Sequence, residues 1–245
     1  MTKRLRIFCG PNGSGKSTLF SEFIKNKFNP GLFVNSDNIE LEITEKKFLD
    51  LSFFDLNLVQ NDFDIFLTEP HSITLIEKAR DEGFSPEIKI SENVILDVSK
   101  DKSSYSASLI SSFIRKHLLL DSRSFSFESV MSHSSKLYEL QLAKQLGYKT
   151  YLYFVCIDDP DVNVSRVDNR VFKGGHSVPA DRIKKRYKAT LENLYPAMQL
   201  VDKAYLFDNS DQMNMIAEME NQIITLHVDE DHIPNWFLKY LINRE

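Results

Sequence analysis

The sequence predicts an α/β protein, a three-layer αβα sandwich around a parallel sheet with one insertion after the second strand. Three observations lead there. Short apolar runs alternate with stretches of helical period along most of the 245 residues. A glycine-rich turn, Gly10-Pro11-Asn12-Gly13-Ser14-Gly15-Lys16-Ser17-Thr18, joins the first strand to the first helix. Tyr151–Ile157 is apolar without a break, as a strand covered on both faces must be.

Taken in order, Leu5–Cys9 reads as a buried strand. The turn after it fills every fixed position of the phosphate-loop pattern G-x-x-x-x-G-K-[ST]. Its glycines let backbone N–H groups face a pyrophosphate, and the helix opening near Lys16 adds its positive end. Lys16 is expected to reach the β- and γ-phosphates, and the Ser17 hydroxyl to ligate Mg²⁺. Leu19, Phe20, Phe23, Ile24 and Phe28 recur at helical spacing just after the loop. The expected ligand is a nucleoside triphosphate, and the expected fold a P-loop NTPase.

Leu32–Asn35 reads as the second strand, ending on Ser36-Asp37-Asn38. Beyond the carboxyl end of a strand, Asp37 is placed to meet a substrate hydroxyl. It is equally well placed to cap a helix over Asn38–Ile43. Residues 39–103 read as an insertion in a single domain spanning 1–245. They hold a helical stretch at Ile73–Arg80 stopped by Gly83, then two short strands, Glu87–Ile90 and Val94–Val98, joined at Ser91–Asn93. The crowded aromatics here, Phe48, Phe53 and Phe54, read as packing rather than recognition.

Tyr105, Leu109, Ile110, Phe113, Ile114 and Leu118 restore a helical period, and Ser124–Glu128 is a strand closing on a carboxylate. A helix through Leu137, Leu140, Ala143 and Leu146 stops at Gly147. After the central strand, a helix carrying Arg166 and Arg170 runs to Lys173-Gly174-Gly175-His176. Pro179 then opens a long helix with Ile183, Tyr187, Leu191 and Leu194 on one side. Ala204–Phe207 is a fifth core strand ending on Asp208-Asn209-Ser210, followed by an apolar run at Ile223–Val228 and a last helical piece around Trp236.

Composition narrows the partners. No apolar run approaches membrane-spanning length. Met1-Thr-Lys-Arg runs directly into the first strand, leaving no room for a secretory leader. Cys9 and Cys156 sit in apolar strands and read as buried free thiols of a reducing compartment, so a cytoplasmic protein is expected. The net charge of −5 argues against nucleic acid as a main partner. Charge is unevenly placed, however. Residues 37–69 hold nine acidic and two basic side chains, whereas residues 166–188 hold eight basic and two acidic ones. The basic stretch suits a small anion such as a triphosphate, although Lys184, Lys185 and Lys188 also fit a solvated helix face.

Phosphoryl transfer needs metal charge, a group to orient the nucleophile, and cations on the developing charge. Arg166 and Arg170 are four apart, as are Arg182 and Arg186, so each pair shares a helix face. With Gly174-Gly175 between them, the four arginines read as a lid over the phosphates. The chain holds no guanine-reading N-K-x-D signature, and no apolar strand ends in a lone Asp after the pattern of a motor ATPase. Glu128 comes nearest that role, and Asp158 next. The histidines show no metal-ligand spacing. A small kinase is favoured over a motor or switch.

Several segments in co-linear order resemble the zeta toxin family of P-loop kinases. They are the phosphate loop, Asn35-Ser-Asp37, Phe125-Ser-Phe-Glu128-Ser-Val-Met-Ser132, Arg166–Pro179, Arg186-Tyr187 and Asp208-Asn-Ser210. The resemblance covers residues 3–38 and 104–210. It implies a kinase-type fold using ATP and Mg²⁺, and a UDP-linked amino sugar as phosphate acceptor. It also implies Asp37 as general base, Glu128 as an acceptor-binding group, Arg166, Arg170 and Arg186 as phosphate clamps, and an antitoxin protein as partner. The chain departs from the family in its longer 39–103 insertion and in Ser129-Val130, where relatives often carry Thr. The expected activity is an ATP-dependent kinase for a small hydroxyl-bearing metabolite. The alternative is a nucleotide-binding module of negligible turnover that docks a protein through residues 39–103.

Overall fold

The computed structural model describes residues 2–101, 103–172 and 177–243. Along the chain the elements are β1 (Arg4–Cys9), α1 (Lys16–Lys25), β2 (Leu32–Val34), α2 (Ser36–Lys46), β3 (Leu49–Asp50), a 3₁₀ turn Leu51–Phe54, α3 (Gln60–Leu67), α4 (Pro70–Asp81), β4 (Ile88–Ser91), β5 (Val94–Asp97) and α5 (Ser104–Leu120). They continue with β6 (Phe125–Ser129), α6 (Ser135–Gln145), β7 (Lys149–Cys156), α7 (Pro160–Phe172), α8 (Ala180–Glu192), α9 (Leu194–Leu200), β8 (Lys203–Asp208), β9 (Asn214–Glu220), β10 (Ile223–Leu226) and α10 (Asn235–Phe237). A π turn carries α10 on to Ile242. The fold falls into two units, residues 1–31 with 126–245, and residues 32–125.

In the first unit six strands lie in the order β10-β9-β8-β7-β1-β6. The centre is parallel: β1 pairs with β7 from Arg4 opposite Lys149 to Cys9 opposite Phe154, and β7 pairs with β8. Side chains alternate between the two faces. On one face Phe8 stacks on Tyr153 at 4.8 Å and meets Phe20 and Phe23 of α1 edge-on at 5.0 and 5.3 Å. Burial there pushes the Tyr153 hydroxyl up to about 12. On the other face Phe154 packs against Trp236 at 5.6 Å. These rings seat α1 on one face and α10 on the other.

The second unit builds its own core. Its three-stranded antiparallel sheet has the order β3-β5-β4. Helix α5 runs through its middle, with Phe113 fully buried against Phe63 at 5.0 Å and Phe66 at 5.4 Å. A Ser36–Ser111 hydroxyl pair at 2.7 Å joins α2 to α5. Of the aromatics read as packing, Phe54 is buried, but Phe48 and Phe53 are exposed, Phe53 at 67%.

Four features differ from the sequence reading. The sheet is mainly parallel rather than wholly so, because β8, β9 and β10 form an antiparallel extension with a bulge at Leu206–Phe207. Strand β9, Asn214–Glu220, mixes Met, Ala and Glu around a single β-branched residue, a composition that does not announce a strand. Phe28 lies beyond α1, which stops at Lys25. Lys27 turns left-handed there, and Phe28 stacks on Phe23 at 5.0 Å from outside the helix. The long helix after Pro179 ends at Glu192, and Leu194 belongs to the next one. At the junction the Asn193 side-chain amide donates to the Met131 carbonyl at 2.9 Å.

Candidate active site

Residues 10–15 carry the chain from the end of β1 into α1, and their shape is set by close approach. Gly10 has φ 145°, and a Cβ there would sit 2.0 Å from the Val155 carbonyl oxygen of the neighbouring strand. Gly15, the N-cap of α1, is left-handed at φ 107°, and a Cβ there would lie 2.6 Å from the Asn209 side chain. Only glycine meets both demands. Gly15 brings no side-chain cap, and the first turn of α1 holds no acidic residue. The positive end of the helix is therefore left for an outside anion.

The side chains at this turn are arranged in the same sense. Lys16 Nζ donates to the Gly10 and Pro11 carbonyls at 3.1 and 2.9 Å. Ser17 Oγ donates to Glu128 Oε2 at 3.1 Å, across 111 positions of sequence. Among the described residues, buried Ser14 Oγ and Asn12 Oδ1 have no hydrogen-bond partner. An orphaned buried hydroxyl in a glycine cradle, a lysine and a serine–carboxylate pair fit a triphosphate with its magnesium. Of the two carboxylates weighed for the metal end, Glu128 is the one that meets Ser17. Asp158 is engaged elsewhere, accepting from the Trp236 and Asn235 backbone N–H groups at 2.7 and 3.1 Å.

Two asparagines that sequence reasoning gave no role at the loop hold it from outside. The fully buried Asn163 of α7 donates through Nδ2 to the Asn12 carbonyl at 2.6 Å. Asn209, just after β8, donates through Nδ2 to the Ser14 carbonyl at 2.8 Å. No local spacing marks Asn163, and Asn209 falls within the Asp208-Asn-Ser210 segment. Arg166 donates from Nη2 to the Asn209 carbonyl at 3.1 Å, so the first of the predicted clamps braces the turn after β8.

Arg170 is exposed on α7, and Arg182 and Arg186 are half-buried on α8. Lys173, Gly174, Gly175 and His176, the expected joint of the lid, lie outside the described residues. Two of the basic side chains are taken up in surface pairs: Lys184 meets Asp161 at 2.6 Å and Lys188 meets Glu192 at 3.7 Å. Tyr187 donates to the Ile157 and Asp158 carbonyls, and burial raises its pKa.

Asp37 lies in the second unit, exposed in the first turn of α2. The helix cap is Asn35, whose side chain accepts from the Asp37 and Asn38 N–H groups at 2.8 and 3.3 Å. The capping role that rivalled catalysis for Asp37 is thus filled by its neighbour.

A lysine and serine opening a helix behind a glycine cradle, on a mainly parallel sheet, define the class: a P-loop α/β protein. No model of a known protein family matches the chain. A protein of Haemophilus influenzae described only as uncharacterized is 24% identical over 187 residues, 76% of this chain and 94% of its own length. The crystal structure of AvrRxo1-ORF1:-ORF2 with ATP has a TM-score of 0.55 at 12% identity, and that of the same pair with sulphate ions 0.56 at 14%. Each likeness covers 92% of this chain and 61% of the neighbour, so the chain spans about three fifths of that protein's length. A structure from the PezAT toxin-antitoxin system of Streptococcus pneumoniae is more distant, with a TM-score of 0.47 at 12% identity over 89% of this chain and 71% of its own.

Proposed function

We propose that this protein is an ATP-dependent kinase that phosphorylates a hydroxyl of a small metabolite, with UDP-amino sugars as the first acceptors to test. The observation that carries the reading is the hydrogen bond from Ser17 to Glu128. It pairs the loop hydroxyl expected to ligate magnesium with a carboxylate from another strand, the pairing a P-loop NTPase uses for its metal. The solved neighbour crystallised with ATP supports the nucleotide. MgATP, when bound, supplies the transferable group and the metal charge between its phosphates.

The remaining work falls to side chains of this chain. Lys16 exchanges its loop carbonyls for phosphate oxygens. Ser17 and Glu128 hold the metal end. Asp37 takes the acceptor's hydroxyl proton as that oxygen bonds to the γ-phosphorus and the bond to ADP breaks. Arg170 and Arg186, with Arg166 behind them, meet the charge that develops.

The test is turnover of labelled ATP with and without a panel of UDP-sugars. Acceptor-stimulated transfer is expected in the wild type. Asp37→Asn is expected to lower it about 10²–10⁴-fold with ATP affinity unchanged. Full transfer by that variant would remove Asp37 as base.

Tight ATP binding without transfer to any acceptor would favour a second reading, a nucleotide-binding module that docks a protein. Exposed Phe53, Val59, Leu41 and Ile65 on the second unit favour it, and so do neighbours solved as two-protein complexes. An antitoxin-like partner belongs to either reading.

A further inference from the structure

Beyond the segments that resemble a known kinase, residues 234–243 fold back onto the ends of β7 and β8. Trp236 Nε1 donates to Asp208 Oδ1 at 2.9 Å. The Asp158 carboxylate accepts three N–H groups, from Asn235 N at 3.1 Å, Asn235 Nδ2 at 2.8 Å and Trp236 N at 2.7 Å. Ser210 closes the gap between the two aspartates. It donates to both oxygens of Asp208 at 3.0 Å and accepts from Asp158 N at 3.0 Å. The indole is 2% exposed and wedged against Phe154 and Phe237. Charge-assisted bonds of this number hold a turn far more firmly than loop backbone alone.

The turn so held is the one that touches the phosphate loop. Asn209 reaches the Ser14 carbonyl, and a Cβ on Gly15 would lie 3.0 Å from Met213 Cε. Its position in the sheet gives this contact a direction. The order β8-β7-β1-β6 puts Glu128, which meets Ser17, on one side of β1 and the 208–213 turn on the other. With the metal end of a triphosphate at Ser17 and Glu128, the nucleoside end extends toward β7 and β8, over residues 209–213.

We infer that residues 234–243 are a latch that positions the nucleoside-binding wall, with Trp236 and Asn235 as positioning residues acting through Asp208 and Asp158. The latch adds more affinity for the nucleoside half of ATP than for its phosphates. The inference rests on the phosphate loop binding ATP, as proposed above. Trp236 is the only tryptophan in the chain, so its emission reports on the latch directly.

The experiment compares ATP with inorganic tripolyphosphate by calorimetry on the wild type, Trp236→Phe and Asn235→Ala, and follows wild-type Trp236 fluorescence with both probes. Removing the indole donor to a carboxylate is expected to weaken ATP binding about tenfold, with a clearly smaller loss for tripolyphosphate. Asn235→Ala keeps the indole and its packing, and is expected to weaken ATP in the same direction. It decides the matter should the Trp236 variant not fold. ATP, but not tripolyphosphate, is expected to change the Trp236 emission. Unchanged ATP affinity in both variants, or equal loss of both probes, overturns the latch while leaving the nucleotide site standing. A wild type that binds neither probe overturns the nucleotide site and the latch together.

Discussion

Lys16 keeps its ammonium on two carbonyls of its own loop, so the cradle holds its shape around a cation before any phosphate arrives. Exchange of those carbonyls for phosphate oxygens keeps the charge satisfied throughout. Lys16→Ala is expected to cut phosphotransfer about 10²–10³-fold, the size of effect seen when one preorganised donor is removed. Single-turnover assays with labelled ATP read it out. Lys16→Arg is not expected to rescue, because a planar fork does not replace a compact ammonium. Gly10 carries a different burden. With 2.0 Å between a would-be Cβ and the Val155 oxygen, Gly10→Ala must push β1 from β7 and is expected to lower the melting temperature sharply. The lysines that looked equally suited to a phosphate or to solvent are divided by geometry: Lys184 and Lys188 pair with exposed carboxylates, a contact worth little.

Helix α5 carries the second unit at the scale of elements. Phe113 sits among Phe63, Phe66 and His117 with no exposure, so Phe113→Ala removes a ring the neighbours cannot refill. A loss of about 3–5 kcal/mol is expected in denaturant melts. One turn later, burial first and Lys116 second hold the His117 pKa below its ordinary 6.5, against the pull of Asp62, Asp121 and Glu69. Folded protein therefore binds the His117 proton less readily than unfolded chain does. The stabilisation is complete above an unfolded pKa of about 6.5 and is lost as pH falls through the lowered folded value. Melting temperature is expected to fall with acidification through that window, and His117→Gln to flatten the slope. An unchanged slope in that variant would assign the effect to another histidine.

At the scale of the whole molecule, both cysteines serve as reporters of the central sheet. Cys9 ends β1 and Cys156 ends β7, both are free and buried, and burial pushes both thiols up. A buried, protonated thiol is a poor nucleophile. Disulfide reagents are expected to label neither cysteine rapidly in the native protein and both in urea, and a fast native phase would show that the sheet opens locally. Among the described residues no helix is long and apolar enough to cross a membrane.

The parts of this protein legible in its sequence are those with local causes. The phosphate loop is written in adjacent residues, since glycine dihedrals, a lysine and a helix start need only a few neighbours. Most of the core strands and flanking helices follow from hydrophobic period alone. What only the tertiary structure decided involves partners far apart in the chain. It chose Glu128 over Asp158 for Ser17, brought Asn163 and Asn209 to the loop, and folded residues 234–243 onto two strand ends. It also built a second core, in which Phe63 and Phe66 meet Phe113 from 47 or more positions away. A side chain's period tells which face it buries; which distant group it meets there is settled by how the elements pack.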